Sequence, residues 1–379
     1  MVVPRYGPDV LGGAETQARG FCEEAARRGW EVEAWTTCAR SHYTWNNVYP
    51  AGREERSGVV VHRFPVIRLN VGHHAKLDMR LTELGSIPIP DQYAWLASGA
   101  HSPSLYHHVA KHANSFDVMV ALPYAAPLVH YAAWSCPGRV VLWPCLHDEP
   151  YAYTEPVRLL LQGAFGVVFL SPEEQSLADR RLDIRLPRSG LLGGGVTVVD
   201  FHRAGEPRGL LYAGRLEEGK NLSTLYGYVQ RYAEEGGNIR LVVLGRGPLK
   251  PPRHPAFEYL GFVSEGRKSF AYASAEALCQ PSVNESFSLT VMESWLAGRP
   301  VLVHAQCDVT RGHVRRSRGG LWFSDYEEFV AALEWLRANP TLADRMGENG
   351  RAYVRRNFSW EAVVSRFRRL IRRWEGDSG

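Results

Sequence analysis

A chain of 379 residues, 45% hydrophobic and 22% charged, is too long for one core and has the composition of a soluble globular protein of two domains. No apolar run approaches the ~20 residues needed to span a bilayer, and Met1 leads into Pro4, Gly7 and Pro8 rather than an apolar leader, so a cytoplasmic protein is expected. A net charge of +4 spread along the chain argues against nucleic acid as a partner and weakly for anionic substrates, while six scattered cysteines without a C-x-x-C pair read as buried, reduced thiols.

In chain order, only Val2 and Val3 precede Pro4, which raises the expectation that a first strand begins upstream of Met1. Gly12, Gly13, Ala14 and Glu15 then form a glycine-rich turn into a helix over Gly13–Arg28, with Ala14, Ala18, Phe21 and Ala25 on one face. Glycine lets backbone approach a ligand and a helix start favours phosphate, although a tight turn alone needs the same residues. Short β-rich runs at Glu31–Thr36, Val59–Phe64, Phe116–Leu122, Arg139–Trp143 and Gly166–Leu170 complete an alternation typical of a parallel doubly wound sheet.

Between them, Val66–Asn114 is long, aromatic and histidine-rich with weak periodicity, the mark of a functional or mobile segment. His108 and His112 are spaced to share a helix face and a metal site is conceivable, but no acidic or cysteine ligand completes a set, so a wet or aromatic-rich surface is the better reading and no metal is expected. After the Arg139–Trp143 strand, WPCLHDEPY puts His147 beside Asp148 and Glu149. Pairing with Asp148 in a core is one reading, and donation to a sugar hydroxyl is the other. Ser171–Glu174, SPEE, reads as a helix start.

A second alternation begins at Gly209, after a glycine-rich stretch that includes Gly193, Gly194 and Gly195. Its strands are Leu210–Ala213, Arg240–Leu244, Phe257–Tyr259, Ala277–Gln280, Val301–His304 and Gly320–Phe323, with helices near Leu222–Glu235 and Tyr326–Ala338 and two more between Thr341 and Trp374. Two such units imply loops at the strands' carboxyl ends facing one cleft. Within YAGRLEEGKN, Arg215 and Lys220 bracket a strand-to-helix loop and offer two cations of the kind a leaving diphosphate needs, and no D-x-D pair stands in a suitable place for a metal. Arg311–Arg318, RGHVRRSR, is a basic cluster that reads first as a solvated face.

PSVNESFSLTVMESWLAGRP, residues 281–300, carries the most information. Ser282, Asn284 and Ser286 offer helix-start oxygens, Thr290–Ala297 reads as helix with Val291, Trp295 and Leu296 inward, and Gly298 and Pro300 end it. Glu285 falls in the loop and Glu293 on the helix, and the amides around Phe287, Ser288 and Leu289 form an anion site between them. Carboxylates there cannot be binding the phosphate, so they suit hydroxyls on either side of it.

This loop and helix resemble the E-x7-E signature of the retaining GT-B glycosyltransferases of family four, the glycosyl transferases group 1, and the resemblance extends over almost the whole chain. It implies an α/β GT-B fold of two Rossmann-like doubly wound parallel-sheet domains facing a central cleft. Residues 1–190 would form the acceptor domain, joined by a returning C-terminal helix at 361–379, with a linker at 191–207 and the nucleotide-sugar domain at 208–360. Glu285 would face the donor sugar, Glu293 hold the ribose, Arg215 and Lys220 meet the diphosphate, the Gly12–Gly13 turn lie under the donor or acceptor, and His147 contact the sugar. The base would meet backbone groups near Gly261, Phe262 and Val263.

The function so implied is metal-independent transfer, with retention, of a hexose from a nucleotide-diphosphate sugar to an acceptor hydroxyl, without a cofactor. The acceptor would be a carbohydrate, a lipid-linked glycan or a small molecule, in polysaccharide, glycolipid or natural-product synthesis, with at most weak peripheral membrane contact through Tyr93, Trp95, Tyr106, Lys76 and Arg80. A glycoside phosphorylase, a nucleotide-sugar epimerase or a non-catalytic sugar-nucleotide binding subunit on the same fold are the alternatives.

Overall fold

The computed structural model describes residues 1–10, 12–68, 70–199 and 209–376. Part of the expected linker (residues 200–207) lies outside them, as do residue 208 at the expected domain start and the last three residues of the expected 361–379 helix. The chain divides into two compact units, Met1–Gly195 with Trp360–Gly379, and Val196–Ser359.

In the first unit, Glu33–Thr37 pairs in parallel with Val59–Phe64, and an antiparallel edge strand, Gly52–Arg56, follows it. Met119–Ala121, Val140–Leu142, Gly166–Phe169 and Ser189–Leu191 form a second parallel set. Val2 joins the two sets, bridging both Trp35 and Ala121, so a single residue stands where a doubly wound sheet has its central strand. The helix Gly13–Arg27 packs on this sheet through Ala18, Phe21, Cys22 and Ala25.

The Val66–Asn114 segment is helical, contrary to its weak periodicity. Val71–Leu84, Ile89–Ala97 and Pro103–His112 are each short, and the first two close a small core of Leu77, Leu81, Ile87, Trp95 and Leu96. Trp95 is therefore inside, donating Nε1–H to Asp78 at 3.0 Å and stacking on Tyr151, and Tyr106 is half-buried against Tyr131. Neither is free to meet a membrane. Among the described residues no helix is long and apolar enough to cross one.

The second unit is a six-stranded, all-parallel sheet in the order Phe257–Gly261, Leu241–Leu244, Leu210–Ala213, Ala277–Gln280, Val301–His304, Gly320–Phe323. Runs such as LLYA, ALCQ and VLVH are buried on both faces, as parallel strands covered by helices require. The order of connection reverses between Leu210–Ala213 and Ala277–Gln280. That reversal opens a crevice at the strands' carboxyl ends, where such sheets take ligands.

The basic stretch Arg311–Arg318 lies mostly within the helix Asp308–Ser317 and is only partly a solvated face. His313 is buried in it among Phe287, Tyr353 and Phe358, with Nδ1 3.0 Å from the Tyr353 hydroxyl. The last helix, Trp360–Gly376, belongs to the first unit and packs along Gly13–Arg27, with Phe367 against Phe21 at 5.0 Å. Trp360 and Trp374 sit where glycines leave room: a Cβ on Gly20 or Gly195 would come within 2.2 or 2.0 Å of the Trp360 ring, and one on Gly166 within 2.6 Å of Trp374.

Candidate functional site

The loops that leave the two strands flanking the reversal carry the residues singled out by the sequence. After Leu210–Ala213, Tyr212 donates its hydroxyl to the Arg215 carbonyl at 2.7 Å and fixes the turn. Burial, then the nearby Glu285 charge, push the Tyr212 pKa well up, so the phenol stays a donor. Asn221 adopts a left-handed φ of 54° between the short turn Glu218–Lys220 and the helix Leu222–Glu234, and its Nδ2 donates to the Pro281 carbonyl at 3.1 Å. One side chain thus ties the lysine loop to the glutamate loop.

That tie sets the central contact. Lys220 Nζ donates to Glu285 Oε1 at 2.8 Å, both side chains being largely shielded from solvent. Arg215 Nη1 lies 3.1 Å from Glu217 and is about half exposed. Both cations expected to meet a diphosphate thus rest on carboxylates, an arrangement in which an arriving anion exchanges partners rather than neutralising bare charge.

Next in sequence, the helix Leu289–Leu296 begins after Ser288, whose φ of 68° and ψ of 83° lie in the left-handed region. A non-glycine residue there costs about 1 kcal/mol or more, and surrounding structure must hold it. Gln280 supplies part of that hold, donating Nε2–H to Ser288 Oγ at 3.4 Å and to Thr290 Oγ1 at 3.1 Å. Phe287 is buried against His313 and Phe358, so its side chain anchors the loop. None of Ser282, Asn284 and Ser286 caps this helix; the Ser282 hydroxyl turns instead to the Asn284 carbonyl at 3.0 Å.

Glu293 lies on the second turn of that helix. Lys268 Nζ donates to its Oε1 at 2.9 Å and the buried Tyr272 hydroxyl to its Oε2 at 2.8 Å. Both partners come from the helix Glu265–Ala273, one turn apart, and sequence reasoning missed them. The signal was there in the i, i+4 spacing of a lysine and a tyrosine, but nothing local says what they face. Burial pulls the Lys268 pKa down, yet the charge and hydrogen bond of Glu293 together with those of Glu265 outweigh it, and the net shift is upward. Nearby, Gly261 ends its strand at φ 67° with its carbonyl taken by the Gly245 N–H at 2.9 Å, and Phe262 is exposed beneath the Arg246 guanidinium. A Cβ on Gly245 would fall 1.7 Å from the Gly214 carbonyl oxygen, so these loops pack backbone to backbone.

The remaining candidates belong to the other unit. Gly12 is extended and makes room for Glu15: a Cβ there would come 2.1 Å from the Glu15 carboxylate, which is paired with the buried Arg5. Gly13 starts the helix and no side chain caps it. His147 Nδ1 is 3.5 Å from Glu149, which also accepts from the Tyr124 hydroxyl at 2.5 Å, while Asp148 turns away to Arg181 and Tyr153. Glu174, in the SPEE segment, shapes that loop by accepting from the N–H groups of Leu146 at 2.6 Å and Leu170 at 2.5 Å.

The histidine segment also differs from expectation. Sequence neighbours offered His108 no acidic partner, but the sheet brings Glu33 and His62 to it.

Residues 200–353 match the family described as Glycosyl transferases group 1. The chain is 27% identical over 144 residues to the alpha-monoglucosyldiacylglycerol synthase of Acholeplasma laidlawii, a match covering 36% of each. By structure it resembles the sucrose-phosphate synthase of Thermosynechococcus elongatus, with a TM-score of 0.71 at 19% identity over 97% of this chain and 94% of that one. It also resembles Anabaena HepE in complex with UDP-glucose, with a TM-score of 0.63 at 14% identity over 98% of each. The two Rossmann-like parallel-sheet units thus share the GT-B fold of these structures, and the stretch that holds the glutamate loop and helix is the part that matches the group 1 glycosyltransferases.

Proposed function

We propose that the protein transfers a sugar from a nucleotide-diphosphate sugar to an acceptor hydroxyl, with retention and without a metal. The observation that carries this reading is the pair of held carboxylates around one helix start, Glu285 on Lys220 and Glu293 on Lys268 and Tyr272, at the carboxyl ends of strands flanking the reversal. An anion seated at the first amides of Leu289–Leu296 would have one carboxylate before the helix and one on it, as a diphosphate between a hexose and a ribose needs.

In this reading Arg215, Lys220 and the Ser288 and Leu289 amides stabilise the departing diphosphate, Glu293 accepts from the ribose diol, and Glu285 positions the sugar. His147 and the Gly12–Gly13 turn keep the sugar and phosphate roles that the family resemblance gives them, and the base meets backbone near Gly261, Phe262 and Val263. The acceptor attacks on the face that the phosphate leaves, and the leaving phosphate oxygen takes the acceptor's proton. That route requires positioning and electrostatics but no protein nucleophile. The match to relatives covers only part of their length, so the acceptor class, a carbohydrate, lipid-linked or small-molecule hydroxyl, rests on the resemblance alone.

The test is a thermal-shift panel of nucleoside diphosphates and nucleotide sugars with anomer-resolved product analysis. A ligand at ~100 times its dissociation constant adds ~2.7 kcal/mol to stability. Stabilisation by one nucleotide sugar, and a product keeping the donor's anomeric configuration, are expected; an inverted product, or a loss of turnover with a chelator that magnesium or manganese restores, would overturn the mechanism.

A further inference from the structure

We propose that Glu33, His62 and His108 form a binding site for a divalent transition-metal ion of the zinc class. The three come from separate elements of the first unit. Glu33 opens the strand Glu33–Thr37, His62 lies in the parallel neighbour Val59–Phe64, and His108 is on the helix Pro103–His112. Register pairs Trp35 with His62, and Glu33 is two residues from Trp35, so Glu33, Trp35 and His62 share one face of the sheet. The helix lies over that face, with the His108 ring 4.6 Å from Trp35 and 5.1 Å from His62, centroid to centroid.

One donor atom from each residue lies within 4.8 Å of the other two, and His62 Nε2 is 3.4 Å from Glu33 Oε2. Tetrahedral ligands at ~2.0–2.1 Å from an ion stand about 3.3 Å apart, a closure within reach of side-chain rotation. A second observation points to a ligand. The Nε2 atoms of both His62 and His108 are shut off from solvent and make no hydrogen bond, that of His62 having only the Glu33 carboxylate at 3.4 Å, and a buried nitrogen left so carries a penalty unless a ligand meets it. An ion bound by both would remove that penalty.

The surroundings fit the same reading. Trp35 donates Nε1–H to Glu33 Oε2 at 2.7 Å, the kind of outer hydrogen bond that orients a ligating carboxylate. Two imidazoles and one carboxylate suit zinc rather than magnesium or calcium, which take oxygen ligands. His112, one turn beyond His108, has its ring centroid 4.5 Å from that of His108 and lies outside the set of three. The ion would pin the helix Pro103–His112 to the strands beneath it, a structural role separate from sugar transfer.

The experiment uses tag-free full-length protein stripped with a chelator, titrated with zinc chloride and, separately, with cobalt chloride. Expected are one zinc per chain by elemental analysis after dialysis, a rise in Tm on adding zinc, and a visible cobalt absorption of tetrahedral type. Glu33→Gln and His62→Ala should each weaken zinc binding at least ~10-fold, the loss that removing even an outer hydrogen-bonding partner brings. His73→Ala, a histidine outside the set, should bind as wild type does. Sub-stoichiometric zinc in the wild type, or undiminished binding by a folded His62→Ala/His108→Ala double variant, would overturn the proposal; the wild-type stoichiometry decides it even if the variants fail to fold.

Discussion

Lys220 and Glu285 hold each other at 2.8 Å, and any diphosphate that enters must draw the lysine away from its carboxylate. The lysine is then the charge partner that gains most as negative charge builds on the leaving group. Lys220→Ala is expected to lower kcat by ~100-fold or more in a steady-state assay, with circular dichroism unchanged. The two glutamates should fail differently. Lys268 and Tyr272 each donate to one oxygen of Glu293, and an amide in its place accepts on one side only, so Glu293→Gln should raise the donor KM while Glu285→Gln mainly lowers kcat. Lys268→Ala should follow Glu293→Gln in direction; a KM unchanged in both would show that this carboxylate does not hold the ribose. Glu285 and Glu293 were legible because their spacing around a helix start is local. Lys268 was not, since its role depends on a neighbouring helix placing it 2.9 Å from a carboxylate 25 residues away. Glu33, His62 and His108 escaped for the same reason: register, not sequence distance, brings them together.

At the scale of an element, the helix Asp308–Ser317 links stability to pH. His313 is buried among aromatic rings, and burial first, then the Arg316 charge, lower its pKa from 6.5 to about 3. An unfolded chain regains the ordinary value and binds the proton more readily. Stability contributed by the neutral ring is therefore full above pH 6.5 and lost as pH falls towards 3. Thermal melts from pH 7.5 to 4 should show Tm falling more steeply for wild type than for His313→Gln; equal slopes would show that His313 is not the group responsible. The strands of the second unit were readable because LLYA and VLVH are buried on both faces and need no partner to be recognised. The helices of 66–114 were hidden because they are short, interrupted by proline, glycine and serine, and bury few residues each. Trp95 finds Asp78 and Tyr151 only once the chain has turned back on itself. Removing Leu77 and Leu81 would empty that small core, so the outer surface of the segment is better probed by replacing exposed Met79 or Tyr93.

At the scale of the molecule, the first unit is assembled from two separated stretches of chain. Gln17 clamps Gly195 through both ends of its amide, Nε2–H to the carbonyl at 2.9 Å and the backbone N–H to Oε1 at 2.7 Å, and Trp360 covers the same glycine. Gly195→Ala would force its Cβ within 2.0 Å of the Trp360 ring, and a loss of about 1–3 kcal/mol is expected in urea unfolding. Gln17→Ala should cost about 1–3 kcal/mol through two unpaired buried backbone groups. Stability equal to wild type in both would mean that the junction carries no strain and little energy.

This discontinuity bears on the order in which the protein can mature during translation. Everything from Met1 to Gly195 leaves the ribosome first, yet the helix that covers Phe21 and the ring that fills the space beside Gly166 are made last. The Val196–Ser359 unit can close as soon as its own residues have emerged. The earlier-made unit must wait, with an uncovered apolar seam, for Trp360–Gly376 to appear.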